Sequence, residues 1–142
     1  MNFRVSTYDP LKHEPKPNQF FIQSKGLNAG RPLREPKRNS WIIDCDFSHA
    51  FEVLTILWVS KKYDLYIGGS VIPFLRLYDF KTVALPYLRH CEYMNLAFTN
   101  EMTALQNIDK LITVTQSKLK LIQALKIGTA AEVLKKIDAS VL

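Results

Sequence analysis

The chain is short of the residues that announce special chemistry. Its two cysteines, Cys45 and Cys91, are too few for a disulfide framework and read as buried thiols in a reducing compartment. Together with His13, His49 and His90 they show no close paired spacing like that of zinc sites, so neither a metal nor another cofactor is expected. Apolar runs fall well short of the ~20 residues that cross a bilayer, and Met1 to Pro10 lacks the apolar centre of a signal peptide. A cytoplasmic protein with no membrane partner is the expectation. Gly68-Gly69-Ser70 lacks the Gly-Lys-Ser/Thr ending of a phosphate loop, and its serine lacks the Gly-x-Ser-x-Gly frame of a hydrolase elbow, so it reads as a turn. Disorder and collagen are excluded by 47% hydrophobic residues and only five glycines in 142 residues. At this length folding buries roughly 68% of the surface of the unfolded chain, enough for a core without staples.

What the chain does have is an uneven charge. Nineteen Lys and Arg against thirteen Asp and Glu give +6, and residues 1–40 hold eight of the bases with only Asp9, Glu14 and Glu35 against them. The rest of the chain is nearly balanced, so one basic patch is expected. Such a patch attracts phosphate through long-range field and counterion release, although moderate charge also simply keeps small proteins soluble.

The pattern predicts an α+β fold, a small mixed or antiparallel sheet with one packed helix and then long C-terminal helices. Five of the seven prolines lie before Ser40, so regular structure there is short. Asn18 to Ser24 reads as a strand ending in the loop Lys25-Gly26-Leu27-Asn28-Ala29-Gly30-Arg31-Pro32. Trp41 to Asp46 reads as a central strand, with Asp46 or Ser48 capping a helix of about four turns from His49 that ends at Lys61-Lys62. From Gly68 to Leu77 a glycine turn precedes an apolar strand that Pro73 would confine to an edge or a bulge, and Tyr78 to Pro86 reads as a turn and a last short strand. Beyond Pro86, apolar steps of three and four predict a long helix from Asn100 to Lys126. Gly128 is expected to stop it, and Thr129 to Glu132 to open a second, shorter helix. Leu105, Ile108, Ile112, Leu119 and Ile122 form the stripe that would meet a partner helix, interrupted by Thr115 and Lys126. These readings divide the chain into an α+β domain at 1–88 and a helical spacer or dimerisation segment at 89–142.

Two chemical alternatives arise from the same residues. Asp44, Asp46 and Glu52, with Lys61 or Lys62 downstream, offer hard oxygen ligands for a Mg²⁺ nuclease, but their spacing matches no stringent motif and a strand-end Asp is more often a cap. Tyr63, Tyr66, Phe74, Tyr78 and Phe80 offer faces for stacking on bases, but aromatics on short strands usually fill the core.

The order of the pieces resembles a type I restriction-modification specificity subunit. The strings that carry it are Ser24-Lys25-Gly26 to Gly30-Arg31, Trp41 to Ile43, the helix ending Trp58-Val59-Ser60-Lys61-Lys62, Gly69-Ser70-Val71-Ile72-Pro73-Phe74-Leu75, Asp79-Phe80-Lys81 and Leu85-Pro86. The match is to the end of one target-recognition domain with its helical spacer, over roughly residues 18–126. The chain is more similar still to a family of short, uncharacterised bacterial proteins associated with mobile elements, which share Ser-Lys-Gly-x-Asn-x-Gly-x-Pro-Leu and Gly-Ser-Val-Ile-Pro-Phe-Leu-Arg-x-x-Asp-Phe. In the specificity subunits the last strand runs into paired prolines and a Glu-Gln pair, whereas here Pro86 is followed by Tyr87-Leu88-Arg89-His90.

The resemblance implies a non-catalytic protein that reads double-stranded DNA, with a methyltransferase subunit as a further partner. One half-domain stands here instead of two, so a bipartite site would need a homodimer through the helices. On that reading Lys25, Arg31, Arg34, Lys37 and Arg38 meet phosphates or guanine edges, and Asn28 reads adenine. Lys61, Lys62 and Arg76 are further phosphate candidates at the ends of elements. The rival expectation is a protein-interaction module in which the helices bind a partner and the basic patch is incidental.

Overall fold

Four short strands build the sheet. A computed structural model describes residues 1–141. In it β1 (Phe3–Thr7), β2 (Phe20–Gln23), β3 (Pro32–Leu33) and β4 (Ser40–Cys45) form an antiparallel sheet in the order β1-β4-β2-β3. The register sets Val5 against Ile43, and Ile43 in turn against Phe20; Trp41 pairs with Thr7 on one side and Ile22 on the other. Side chains of one parity therefore share a face, and Phe20, Ile22, Trp41 and Ile43 are buried in the main core with Phe3 and Val5 packed against them. Phe21 and Ile42 have the opposite parity and are buried as well. The segment after β1 covers them, with the ring of Tyr8 meeting Phe21 edge-on at 5.5 Å. Burial on both faces explains the unbroken apolar run Trp41-Ile42-Ile43.

Two helices close the main core. Helix α1 (Ala50–Val59) buries Ala50, Val53, Leu54 and Leu57, and α2 (Leu77–Tyr93) buries Phe80, Ala84, Leu88 and Cys91, each set recurring at helical spacing. Phe80 sits where the layers meet: its ring lies 5.4 Å from Trp41, 5.7 Å from Tyr63 and 6.4 Å from Phe3. Between the helices a 3₁₀ turn (Asp64–Tyr66) leads to a two-stranded ribbon, β5 (Ile67–Gly68) and β6 (Phe74–Leu75).

The fold class is thus α+β with an antiparallel sheet, and several local expectations need correction. Tyr78 to Pro86 is helix rather than turn and strand. Pro86 lies inside α2 and is exposed, and the buried spacing of Phe80, Ala84 and Leu88 carries the helix through it. The sheet therefore has two helices packed on it. Neither Asp46 nor Ser48 caps α1; its N-cap is His49, with no side-chain bond, and Asp46 Oδ1 instead accepts the Asn2 amide at 2.7 Å. Helix α1 has ten residues, and Lys61 and Lys62 lie beyond its last turn. There the Ser60, Lys61 and Lys62 amides donate to Ile56, Trp58 and Leu57 with Lys61 at φ 59°, a left-handed termination. Strand β1, absent from the sequence-based expectation, shows the period of two in Phe3, Val5 and Thr7 against Arg4 and Ser6.

The chain falls into two compact units, Met1–Phe98 and Thr99–Leu142. Leu88 and Arg89, where the sequence divides by composition, are consecutive residues of α2 within the first unit. The second unit is one helix, α3 (Thr99–Val141), of 43 residues and so about 65 Å at about 1.5 Å per residue. The expected stop at Gly128 does not occur. Thr129 does not open a new helix, because its Oγ1 donates back to the Leu125 carbonyl at 3.0 Å instead of capping. Thr115, in the stripe, turns its hydroxyl into the backbone the same way, donating to Leu111 at 2.8 Å. Leu105 is half-buried, whereas Ile108, Ile112, Leu119 and Ile122 are exposed, as are all described side chains from Gln106 to Ala139. Among the described residues no helix is long and apolar enough to cross a membrane.

Candidate nucleic-acid interface

The two strings that stand out in the sequence fold into one structure. Beyond β2 the chain continues through Ser24 and Lys25, and Lys25 bridges antiparallel to Phe74. Gly26 N–H donates to the Pro73 carbonyl at 2.7 Å, and Leu75 N–H donates to the Ser24 carbonyl at 2.9 Å. The loop that follows is closed by Gly30 N–H donating to Gln23 at 2.7 Å and Arg31 N–H donating to Asn28 at 3.0 Å. Gly30 has φ +87° and lies against the ring of Tyr63. Ser24 ties in a third segment, since its amide and its hydroxyl both donate to the Asn39 carbonyl, at 2.8 and 2.6 Å. The Ser40 hydroxyl holds the same turn by donating to Lys37 at 2.5 Å.

This frame decides where the candidate residues stand. Lys25 and Arg76 flank Phe74, with the Arg76 guanidinium 6.0 Å from that ring. Arg31 lies over Trp58 at 5.2 Å, next to the turn that carries Lys61 and Lys62, and Lys62 Nζ is 6.0 Å from Tyr87. Lys37 and Arg38 are exposed in the turn anchored by Ser24, and Asn28 is exposed at the tip of the first loop. Arg34 is placed differently. It stacks on Phe51 at 3.7 Å and reaches Glu52 Oε1 at 3.5 Å. Among the described residues Lys25, Arg31, Lys37, Arg38, Lys61, Lys62 and Arg76 make no ion pair.

Two features of the site escaped the sequence. Trp58 and Phe51, seven residues apart on α1, are the platforms for Arg31 and Arg34, three residues apart on either side of strand β3; matching of those two spacings is the signal that would have found them. Leu27, Val71 and Ile72 stand exposed on the joined loops, whereas the sequence places the latter two in a strand. The structure has them in the hairpin turn between β5 and β6, because Gly69 takes φ +94° and turns the chain first.

The aromatic candidates divide. Tyr63 and Phe80 belong to the core, Phe74 is half-buried, and Tyr66 and Tyr78 are exposed. Tyr63 is the unusual one. Its hydroxyl is buried with no hydrogen-bond partner among the described residues, and burial pushes the phenol above its ordinary value. The acidic residues of a metal nuclease are not assembled: Asp46 holds the Asn2 amide, Glu52 faces Arg34, and Asp44 is exposed on β4. No group of three His, Cys, Asp or Glu side chains able to hold a metal occurs among the described residues. Cys45 and Cys91 are free thiols, Cys91 buried and Cys45 partly so.

These features define a small α+β domain with unpaired cations on its joined loops and on the turn after α1. The chain belongs to a family of unknown function, DUF6943, whose sequence profile matches residues 5–132. No curated protein and no solved structure matches it.

Proposed function

We propose that the chain is a non-catalytic, cytoplasmic protein that binds double-stranded DNA through the first unit, in the manner of a half specificity subunit, and pairs as a homodimer through α3. One observation carries this reading: Lys25, Arg31, Lys37, Arg38 and Arg76 come from separate stretches of chain onto or beside one hydrogen-bonded set of loops, Lys61 and Lys62 stand on the turn after Trp58, over which Arg31 lies, and none is neutralised by an acidic partner among the described residues. Unpaired cations on a fixed frame gain from phosphate by releasing its counterions, and they lose little side-chain freedom where Arg31 already rests on Trp58. The resemblance of the same strings to target-recognition domains agrees with that, and a methyltransferase subunit is a further partner on that ground.

The test is binding of the full chain to a pool of random duplex DNA at two salt concentrations, with its mass in solution recorded. Affinity falling steeply with salt supports the reading, since log K changes in proportion to the phosphates neutralised. No binding at low salt overturns it. The exposed apolar side chains of α3 favour a second reading, a protein-interaction module, in which association is indifferent to DNA and salt.

A further inference from the structure

Leu27 and Val71 are the most exposed large apolar side chains on the joined loops. Leu27 is 91% exposed, Val71 89% and Ile72 61%. Leu27 is a central residue of the turn closed by Ala29 N–H donating to Gly26 at 3.0 Å, and Val71 and Ile72 occupy the hairpin turn that ends at Pro73. The hydrogen bond from Gly26 to Pro73 holds the two tips side by side. The hairpin tip is also stiff. A Cβ on Gly69 would collide with the Ile72 carbonyl oxygen, so the turn is packed around its own backbone, and Pro73 fixes φ where the turn closes.

We propose that Leu27, Val71 and Ile72 form an apolar wedge that enters the minor groove of duplex DNA and opens a base step. The inference rests on the DNA-binding reading and names how the same surface engages its partner. Two protruding aliphatic tips suit a groove about 6 Å wide better than a flat protein face, and aliphatic side chains that enter it unstack and kink the duplex. Lys25 and Arg76 lie beside the tips and carry no ion pair among the described residues, in position for the phosphates on either side. Asn28 follows Leu27 and is exposed; its amide donors match the acceptor edges of A·T pairs, whereas a lipid layer would leave them unpaired. Pyrimidine–purine steps, the easiest to open, are the preferred target.

The experiment uses the full chain and a short A·T-rich duplex with one central TA step, labelled at both ends for energy transfer. The wild type is expected to bind and to shorten the end-to-end distance by a kink of roughly 20–90°. A variant carrying Leu27→Ser, Val71→Ser and Ile72→Ser should keep its far-UV spectrum and its salt dependence, bind at least several-fold more weakly and lose the bend. Binding without bending in the wild type, or equal bending in the variant, overturns the wedge and leaves the DNA reading standing. Absence of salt-sensitive binding in both proteins overturns the DNA reading, and the wedge with it.

Discussion

A Cβ built on Gly30 falls 2.8 Å from Cδ2 of Tyr63, so the tyrosine ring occupies the space that any side chain at position 30 needs. Gly30 also has φ +87°, a conformation that costs other residues strain. Gly30→Ala is therefore expected to destabilise the first unit by roughly 1–3 kcal/mol, from backbone strain and displacement of a buried ring together. Urea unfolding checks this, as a lower midpoint at unchanged slope; a midpoint equal to wild type would show that the ring moves aside freely.

Tyr63 itself carries a buried hydroxyl with no partner among the described residues. Tyr63→Phe keeps the ring against Gly30 and Phe80 while removing the unpaired group, so a gain of about 1 kcal/mol is expected. The pH dependence follows the same cause. Burial raises the phenol above its ordinary 10.0, so below pH 10 it is neutral in both states, and as pH rises past 10 the unfolded chain loses its proton first and stability falls. Thermal melts should show the wild type falling away from Tyr63→Phe above pH 10, and parallel curves would refute the assignment.

The two thiols act one step earlier on the pH scale. Burial pushes both Cys45 and Cys91 above their ordinary 9.0, so little thiolate forms at pH 8 and the neutral thiols' contribution is lost only as pH climbs past 9. A thiol reagent at pH 8 is expected to label the folded protein slowly, Cys91 slowest, and to label both at once in denaturant. Rapid labelling of Cys91 in the folded state would mean that α2 opens readily from the sheet.

The candidate cations differ in their commitments, and that difference is measurable. Arg34 already faces Glu52 at 3.5 Å, whereas Lys61 and Lys62 face no acid among the described residues. Replacing Lys61 and Lys62 by alanine is expected to lower the salt slope of DNA binding by about 2, roughly one per phosphate contact, and Arg34→Ala to lower it by less. Either change should alter stability by under about 1 kcal/mol, since exposed charges contribute little. A larger slope change from Arg34 than from the lysine pair would move the contact surface toward α1.

Much of this was legible in the sequence because strands and helices announce themselves by period. The central strand, the presence of α1 and the basic loops follow directly from Trp41-Ile42-Ile43, the helical spacing of Phe51, Leu54, Ile56, Leu57, Trp58 and Val59, and the run from Lys25 to Arg38, although of that helical set only Leu54 and Leu57 are buried. Two of the misreadings came from treating Pro86 and Gly128 as stop signals. Both lie within helices, Pro86 where buried Ala84 and Leu88 hold the turn on either side, and Gly128 where nothing crowds it. The docking of Ser24-Lys25-Gly26 against Pro73-Phe74-Leu75 was not legible, because main-chain hydrogen bonds between distant segments leave no periodic trace.

Gly128 offers the sharpest check on the second unit. It lies in the interior of α3, and a Cβ built there meets nothing within 4 Å. A glycine in a helix interior costs about 1 kcal/mol relative to alanine, so Gly128→Ala should stabilise α3 by about that amount, whereas Gly128→Pro removes a backbone donor and should cost ~3 kcal/mol. Hydrogen exchange of the amides around position 128 reads this directly, slower in the alanine variant and faster in the proline variant. Sedimentation of the same two variants then separates helix formation from pairing: if the chain dimerises through this stripe, the alanine variant should associate at least as tightly as wild type and the proline variant more weakly. An alanine variant that gains helicity yet loses its dimer would mean that the bare glycine is where two helices approach most closely.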